Sequence, residues 1–596
     1  MLILPVTVII FLFLVRRTSS QVALVTTLAS VFFWYEFSLF FLPFFRVDVF
    51  NVFISNLIQL APIAFVVALL IFSPKFRVTE KKAKKISNLR VELLYQIPSI
   101  TILVLLVMSF LKLGLGSMAF ATSGDARNHV WFSRFIIEQK GLNASSAAYY
   151  PVLPDGMVAL TRSGLDFYSN LAKNMLSLDL IAIGMMTLTV LILMSQVHIA
   201  VGKSIFKDKH SLKITSILIL AFLPLGALVS KVALGDGFYP ALFACLILQL
   251  FCLASISFFD SNNENEKTLL LISIILLFPL IVSTWTILLI LPGVCILLLP
   301  AKFKIMVMSK LKNQRELQIV FLFSCALLFL NLAPLLKNGA AANYVKSPGA
   351  ISLPPAFLML TTLVAFFAYF FWGSKKYSDV VMQFLGTALF TTLITFGFLA
   401  SLQDNGNYWN YYPAKFTWIV LITMFPFLIS FSIREFSRNP GIHSIILVPL
   451  FVLLSWSITN SPWIKLDVFT SNRPQSIIYS GWYSPSAVSI NQVLNYGTKN
   501  VPIVFWDLAD PSGDRLANFW LATYLPVKFD NPVLATNLLR DWAYFEIPGQ
   551  PDSLCNLLEN SDLRWNIITK NQKLTQQLAE FCMTEVSQNE VVLLKK

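Results

Sequence analysis

The sequence predicts an α-helical polytopic membrane protein of about fourteen transmembrane helices with a small extracytoplasmic α/β domain at its C-terminal end. Three observations predict it. First, 56% of the 596 residues are hydrophobic and only 13% charged, with a mean hydropathy of +0.70. A soluble chain of this size has no way to hide so much apolar surface. Second, apolar runs of spanning length recur, and the basic residues fall in short clusters between them. The net charge of +14 therefore reads as a topological signal and not as a nucleic-acid surface. Third, the composition turns mixed at about residue 458.

Taken in order, the apolar runs lie at 2–15, 22–45, 50–72, 95–115, 177–201, 214–233, 238–258, 268–283, 285–300, 317–335, 354–372, 380–400, 414–432 and 442–458. Run 2–15 has no basic start and no small-residue cleavage site, so it reads as a retained helix. Residues 268–300 form one apolar block, divided at Ser283-Thr284-Trp285 because only that division keeps the basic loops together. Those loops are Arg16-Arg17, 75–90, 203–213, 302–315, Lys375-Lys376 and 434–438. With this division they share one face, which is then cytoplasmic, and both termini lie outside in what reads as a plasma-membrane protein. The polar outer segments are the large loop 116–176, Gly235-Asp236-Gly237, 337–348, 403–415 and the region 459–596.

No GxxxxGK[ST] phosphate loop and no GxGxxG following a strand occurs, so direct use of ATP or a nucleotide-sugar is not expected. Nucleic acid is excluded as a partner on the distribution of charge. Cys245, Cys252, Cys295 and Cys325 sit in apolar runs as core filler. In the C-terminal region, 503–506, 565–568 and 591–594 read as strands, and 514–524 and 572–581 as amphipathic helices. Cys555 and Cys582 can form a disulfide there in an oxidising space, and the unpaired reading stands beside it. Trp482, Tyr483, Trp506, Trp520 and Trp542 are either core residues or rings on which a carbohydrate stacks.

The densest polar cluster of the membrane region is Ser123-Gly124-Asp125-Ala126-Arg127-Asn128-His129, which opens the outer loop. Ser123 or Asp125 can cap a helix over 125–139, but four such side chains at a membrane face also point to a ligand. That helix is expected to lie flat on the membrane with Val130, Phe132, Phe135 and Ile136 on its apolar side. Tyr149-Tyr150-Pro151-Val152-Leu153-Pro154-Asp155-Gly156 reads as a Pro-rich aromatic turn, and 157–165 as a second amphipathic segment.

This layout resembles the GT-C superfamily of polytopic glycosyltransferases, on the strength of the Gly124-Asp125-Ala126…His129 start, the Tyr150-Pro151 turn and the C-terminal region. The resemblance implies transfer of a sugar from a polyprenyl-phosphate donor to an envelope glycan or glycolipid acceptor on the outer face. It makes Asp125 the general base, or alternatively a ligand for a divalent cation (Mg2+ or Mn2+) that Asp236 would share. Two features depart from the family: Asp125 stands alone where adjacent acids are usual, and its loop follows about the fourth helix instead of the first.

The cluster Asp404-Asn405-Gly406-Asn407-Tyr408-Trp409-Asn410-Tyr411-Tyr412-Pro413-Ala414-Lys415 supplies further candidates for the substrate: Asp404, Tyr411, Tyr412 and Lys415. Lys415 begins an apolar helix on the face where lysines are scarce, and suits a lipid phosphate. Arg127, His129, Lys346 and Lys231 are candidates for the same phosphate. Two competing readings are a transporter or flippase of a lipid-linked saccharide and a polysaccharide polymerase or ligase. The first expects polar or broken helices at the midplane.

Overall fold

The computed structural model describes residues 2–72, 91, 93–104, 125–142, 152–165, 175–206, 213–230, 232, 237–297, 301–338, 386, 393–402, 411–438, 451–459, 501–506, 518, 521–522, 538–539, 542, 551–559, 563–569, 572–574, 576, 580, 582 and 590–593. Among them seven helices are long and apolar enough to cross a membrane: Ser20–Phe45, Ile181–Ile205, Lys213–Ser230, Tyr239–Asp260, Glu264–Thr284, Arg315–Ala333 and Tyr412–Arg434. The protein is thus a membrane-embedded helical protein. The runs 354–372 and most of 380–400 lie outside the described residues.

The membrane helices are α1 (Ile3–Val15), α2 (Ser20–Phe41) and α3 (Val52–Phe72). Two helices of the large loop follow, α4 (Asp125–Glu138) and α5 (Val152–Leu165). Then come α6 (Met175–Ile205), α7 (Lys213–Phe222), α8 (Tyr239–Asp260), α9 (Glu264–Thr284), α10 (Ala301–Asn313), α11 (Arg315–Asn338) and α12 (Tyr411–Arg438). The expected division of 268–300 is present: α9 stops at Trp285, whose backbone is extended at φ −168° and ψ 113°.

The hairpin of α8 and α9 turns in three residues, and Asn263 caps α9 by accepting a hydrogen bond from the Asn265 amide at 3.0 Å. Glu264 and Glu266 in that first turn suit the positive end of the helix dipole. Glu264 also accepts from Lys310 of α10 at 2.7 Å, and Glu266 from the Ser19 amide at the start of α2 at 2.9 Å. This end of the bundle carries Arg16, Arg17, Lys267 and Lys310. The opposite end of the hairpin holds Trp285 and the start of α8, where Gly237 takes φ +71°.

The large loop departs from expectation. Val152-Leu153-Pro154-Asp155-Gly156 is the first turn of α5 and not a turn between elements. Pro is tolerated there because the first helical amides have no intrahelical partner, and Asp155 faces the favourable end of the dipole. All residues of α5 except Arg162 are buried. The Gln59 carboxamide of α3 donates to the Leu160 carbonyl at 3.2 Å, and Asn56 donates to that of Gly164 at 3.4 Å. A β-carbon at Gly164 would come within 2.8 Å of Gln59 Nε2. Helix α4 leads into Gly141 at φ +151°, packed on Pro43, and the Leu142 amide donates to Leu39 at 3.0 Å.

The C-terminal region contains a three-stranded parallel sheet of β1 (Ile503–Trp506), β2 (Asn566–Thr569) and β3 (Glu590–Leu593), in spatial order β1-β2-β3. Register pairs Ile503 with Asn566 and Asn566 with Glu590. Strands β1 and β2 are buried throughout, as parallel strands covered on both faces are. Each expected strand lies within one residue of these bounds. A helix that the sequence did not suggest, α13 (Pro551–Glu559), precedes β2. Cys555 and Cys582 are joined by a disulfide, with Cα atoms 5.3 Å apart. Trp506 and Trp542 are buried with ring centroids 5.9 Å apart, so these two rings pack the core and are not platforms for a sugar. The expected helices 514–524 and 572–581 and the residues Trp482, Tyr483 and Trp520 fall largely or wholly outside the described residues.

The close approach of α5 to α3 yields a stability prediction. Gly164→Val is expected to destabilise the protein by about 1–3 kcal/mol, because an overpacked β-carbon must displace Gln59 and Asn56. Thermal unfolding of the purified chain in detergent measures it, and an unchanged midpoint would show that α5 does not dock there.

Candidate functional site

The site is built where α4, α5 and the starts of α8 and α12 meet. On α4 the buried residues are Ala126, His129, Val130, Ser133, Arg134 and Ile136, which follow the helical period of three and four. This corrects the expected apolar face. Phe132 and Phe135 are only half-buried, and Trp131 stacks on Phe135 with centroids 5.8 Å apart. The buried stripe instead carries an imidazole, a hydroxyl and a guanidinium, so α4 packs on the bundle through its polar side chains.

Each polar group on that stripe meets a partner. His129 is fully buried and its Nδ1 lies 3.1 Å from Oδ1 of Asp155, which is 1% exposed. The Ser133 hydroxyl sits 2.7 Å from the His129 carbonyl and 3.0 Å from that of Asp155, donating between the two helices. One turn on, Arg134 Nε lies 3.8 Å from Asp179 of α6, and Arg162 of α5 donates to the same carboxylate at 3.2 Å. A carboxylate that holds Nδ1–H fixes the imidazole tautomer and orientation, which leaves Nε2 as the basic atom.

Asp155 also lies within electrostatic range of Tyr239, at the first position of α8. The Tyr239 hydroxyl is buried and has no hydrogen-bond partner among the described residues. Its neighbour Phe238 presents its ring to Lys415 of α12, whose Nζ is 4.4 Å from the centroid. Such a contact is worth about 0.5–2 kcal/mol. Lys415 is 8% exposed, so its ammonium does not reach freely into water at the interface. Trp285, at the break after α9, packs on Tyr412 and Phe416 with centroids at 5.9 and 6.2 Å.

Of the residues expected from sequence, the structure thus gathers His129, Tyr412 and Lys415 at one end of the bundle. Asp125 and Arg127 are described as backbone only, Asp125 opening α4 four positions before His129, and Tyr411 likewise opens α12. Asp236, Lys346, Asp404 and Lys231 lie outside the described residues. Among the described residues no group of three His, Cys, Asp or Glu side chains could hold a metal ion.

Three members of the site were missed. Asp155 was hidden by the prolines around it, which suggest a turn. Tyr239 and Trp285 were absorbed into apolar runs. The one signal for Tyr239 was its place two residues after the Gly235-Asp236-Gly237 turn.

The buried pair gives a direct test. His129→Ala and Asp155→Ala are each expected to cost about 1–3 kcal/mol, because each leaves the other group buried without its partner. The double variant is expected to lose about 0.5–3 kcal/mol less than their sum, read from unfolding midpoints. Simple additivity would mean the two groups do not interact. Compared with known proteins, the chain matches no protein-family model and no curated protein sequence.

Proposed function

We propose that the protein is a membrane glycosyltransferase that moves a sugar from a polyprenyl-phosphate donor to an envelope glycan or glycolipid acceptor. The observation that carries this reading is Lys415, a cation 8% exposed and backed by Phe238, at the same end of the bundle as the His129–Asp155 pair. Cation and acid–imidazole pair there are walled by aromatic rings. A lipid phosphate needs the first group, and deprotonation of an acceptor hydroxyl needs a base close by.

In this reading the chain is of GT-C type, with about fourteen spans in the plasma membrane. The end carrying Arg16, Arg17, Lys267 and Lys310 is cytoplasmic by the positive-inside rule. The aromatic end, both termini and the region 459–596, an α/β domain, are extracytoplasmic. The Cys555–Cys582 disulfide suits an oxidising compartment.

Asp125 takes the proton of the acceptor hydroxyl, and the acceptor oxygen forms a bond to the anomeric carbon. The bond from that carbon to the donor phosphate oxygen breaks, and Lys415 stabilises the negative charge left on the phosphate. His129, oriented by Asp155, and Arg127 contact the donor or acceptor beside it. Tyr411, Tyr412, Asp236, Asp404 and Lys346 complete the substrate surface. A divalent cation, where used, would be held by Asp125 and Asp236 and would neutralise phosphate charge.

One observation favours a transporter of a lipid-linked saccharide. Polar groups lie inside the bundle: Glu36 with Asn331, and His198, whose Nδ1 is 3.0 Å from the Leu220 carbonyl. Intramembrane ionisable groups commonly mark a pathway.

The two readings separate on purified protein given a labelled polyprenyl-phosphate sugar. Wild type is expected to transfer sugar, Asp125→Asn to lose about 10²–10⁴ in kcat, and Lys415→Met about 10²–10³. Transfer that is indifferent to Asp125→Asn removes the base assignment. No transfer with any donor, together with movement of the lipid-linked sugar across proteoliposomes, makes the protein a transporter.

A further inference from the structure

Glu36 is the one charged residue of α2 and is fully buried, in a helix otherwise built of apolar, hydroxyl and amide side chains. Its described partner is not a cation. The Asn331 carboxamide of α11 donates to Glu36 Oε1 at 2.7 Å and to the Leu327 carbonyl at 3.0 Å. Ser283, near the end of α9, stands beside the same carboxyl while its hydroxyl reaches the Leu280 carbonyl at 3.0 Å. Two acceptor atoms are left over. Glu36 Oε2 and Asn331 Oδ1 are both buried without a hydrogen-bond partner among the described residues.

The charged groups on the packed elements are remote or engaged elsewhere. On α9 they are Glu264, Glu266 and Lys267, about 24–28 Å along the helix from Ser283. On α11, Arg315 and Glu316 are about 24 and 22 Å from Asn331, and the side chain of Lys337, six positions beyond it, lies outside the described ones. Helices α1 and α3 carry no charged residue. Tyr239 and Asp260 stand at the two ends of α8. On α5, Asp155 and Arg162 are committed to His129 and Asp179. On α6, His198 bonds the Leu220 carbonyl, and Lys203 lies over the Tyr95 ring. Among the described residues no ion pair includes Glu36.

A bare carboxylate there would lose the stabilisation of water and gain only the Asn331 amide and the neighbouring Ser283 hydroxyl in return, and desolvation of an ion outweighs two such neutral donors. A neutral carboxyl reverses the balance, because its O–H is the donor that the two leftover acceptors lack. We infer that Glu36 is a proton-binding site within the membrane bundle, a neutral carboxyl hydrogen-bonded to Asn331 that joins α2 to α11. Release of the proton leaves a charge at that contact, so proton binding is coupled to the seating of α11. Among the described residues, 22% of the spanning stretch of α11 is buried, against 94% for α8. This inference does not depend on the transferase reading.

The test is an infrared difference spectrum between wild type and Glu36→Gln, using the full chain in lipid at neutral pH. The expected result is loss of one carboxylic-acid carbonyl band with the carboxylate bands unchanged, and elution and melting of the variant like the wild type. Loss of carboxylate absorption instead would overturn the inference. So would a sodium-dependent shift of the wild-type melting midpoint that Glu36→Gln abolishes, because the ligand would then be a metal cation. As an independent reading, dicyclohexylcarbodiimide is expected to add once to the peptide containing Glu36 and not to that of the variant. Equal labelling of both would also count against it.

Discussion

A polar side chain carried into a bundle of apolar helices has no water to fall back on, and this constraint shapes the loop between α3 and α6. Helix α4 turns His129, Ser133 and Arg134 inward, which is tolerable only because α5 and α6 bring Asp155 and Asp179 to meet them. The consequence is that α4 and α5 are fixed in register with each other and with α6. They cannot slide as free interfacial helices would. Gln59 and Asn56 of α3 extend the same logic by bonding the backbone of α5. The loop is therefore a rigid wall, and a rigid wall is what a site needs if distances of a few tenths of an ångström are to matter.

The same accounting separates the two ends of the bundle. At the opposite end the charges are cross-linked in pairs, Glu264 with Lys310 and Glu266 with the Ser19 backbone, so they close the turn between α8 and α9. The aromatic end is built differently. Lys415 leans on the face of Phe238, and the Tyr239 hydroxyl is left without a described partner. A buried phenol that forgoes a hydrogen bond has a standing cost that a polar ligand can relieve. Such asymmetry between ends is expected of a protein that works on one face of a membrane.

Inside the bundle, Glu36 and Asn331 form one of several polar contacts between helices, beside Gln196 with Gln96 and Ser99 and Gln249 with the Ile422 carbonyl. Among the described residues it joins α2, half of whose spanning stretch is buried, to α11, which is covered over 22% of its stretch. A helix with little of its surface covered depends more on a single strong contact than one packed on all sides.

The sequence by itself determined the class of the protein, the approximate ends of the apolar helices among the described residues, the break at Trp285 and the three strands. These follow from local quantities: hydropathy summed over a window, charge at the junctions, and alternation along a strand. It also drew attention to His129 and Lys415, because polar residues beside apolar runs are conspicuous. Only the tertiary structure decided which face of α4 is buried, since the apolar count favours Phe132 and Phe135 while partner groups on α5 and α6 favour His129 and Arg134. It alone decided that Asp155 belongs to a helix and faces His129, because Pro154 reads alike in a turn and in a first helical turn. Burial of a polar group is a property of the pair, and a pair separated by 26 residues leaves no mark in either local stretch.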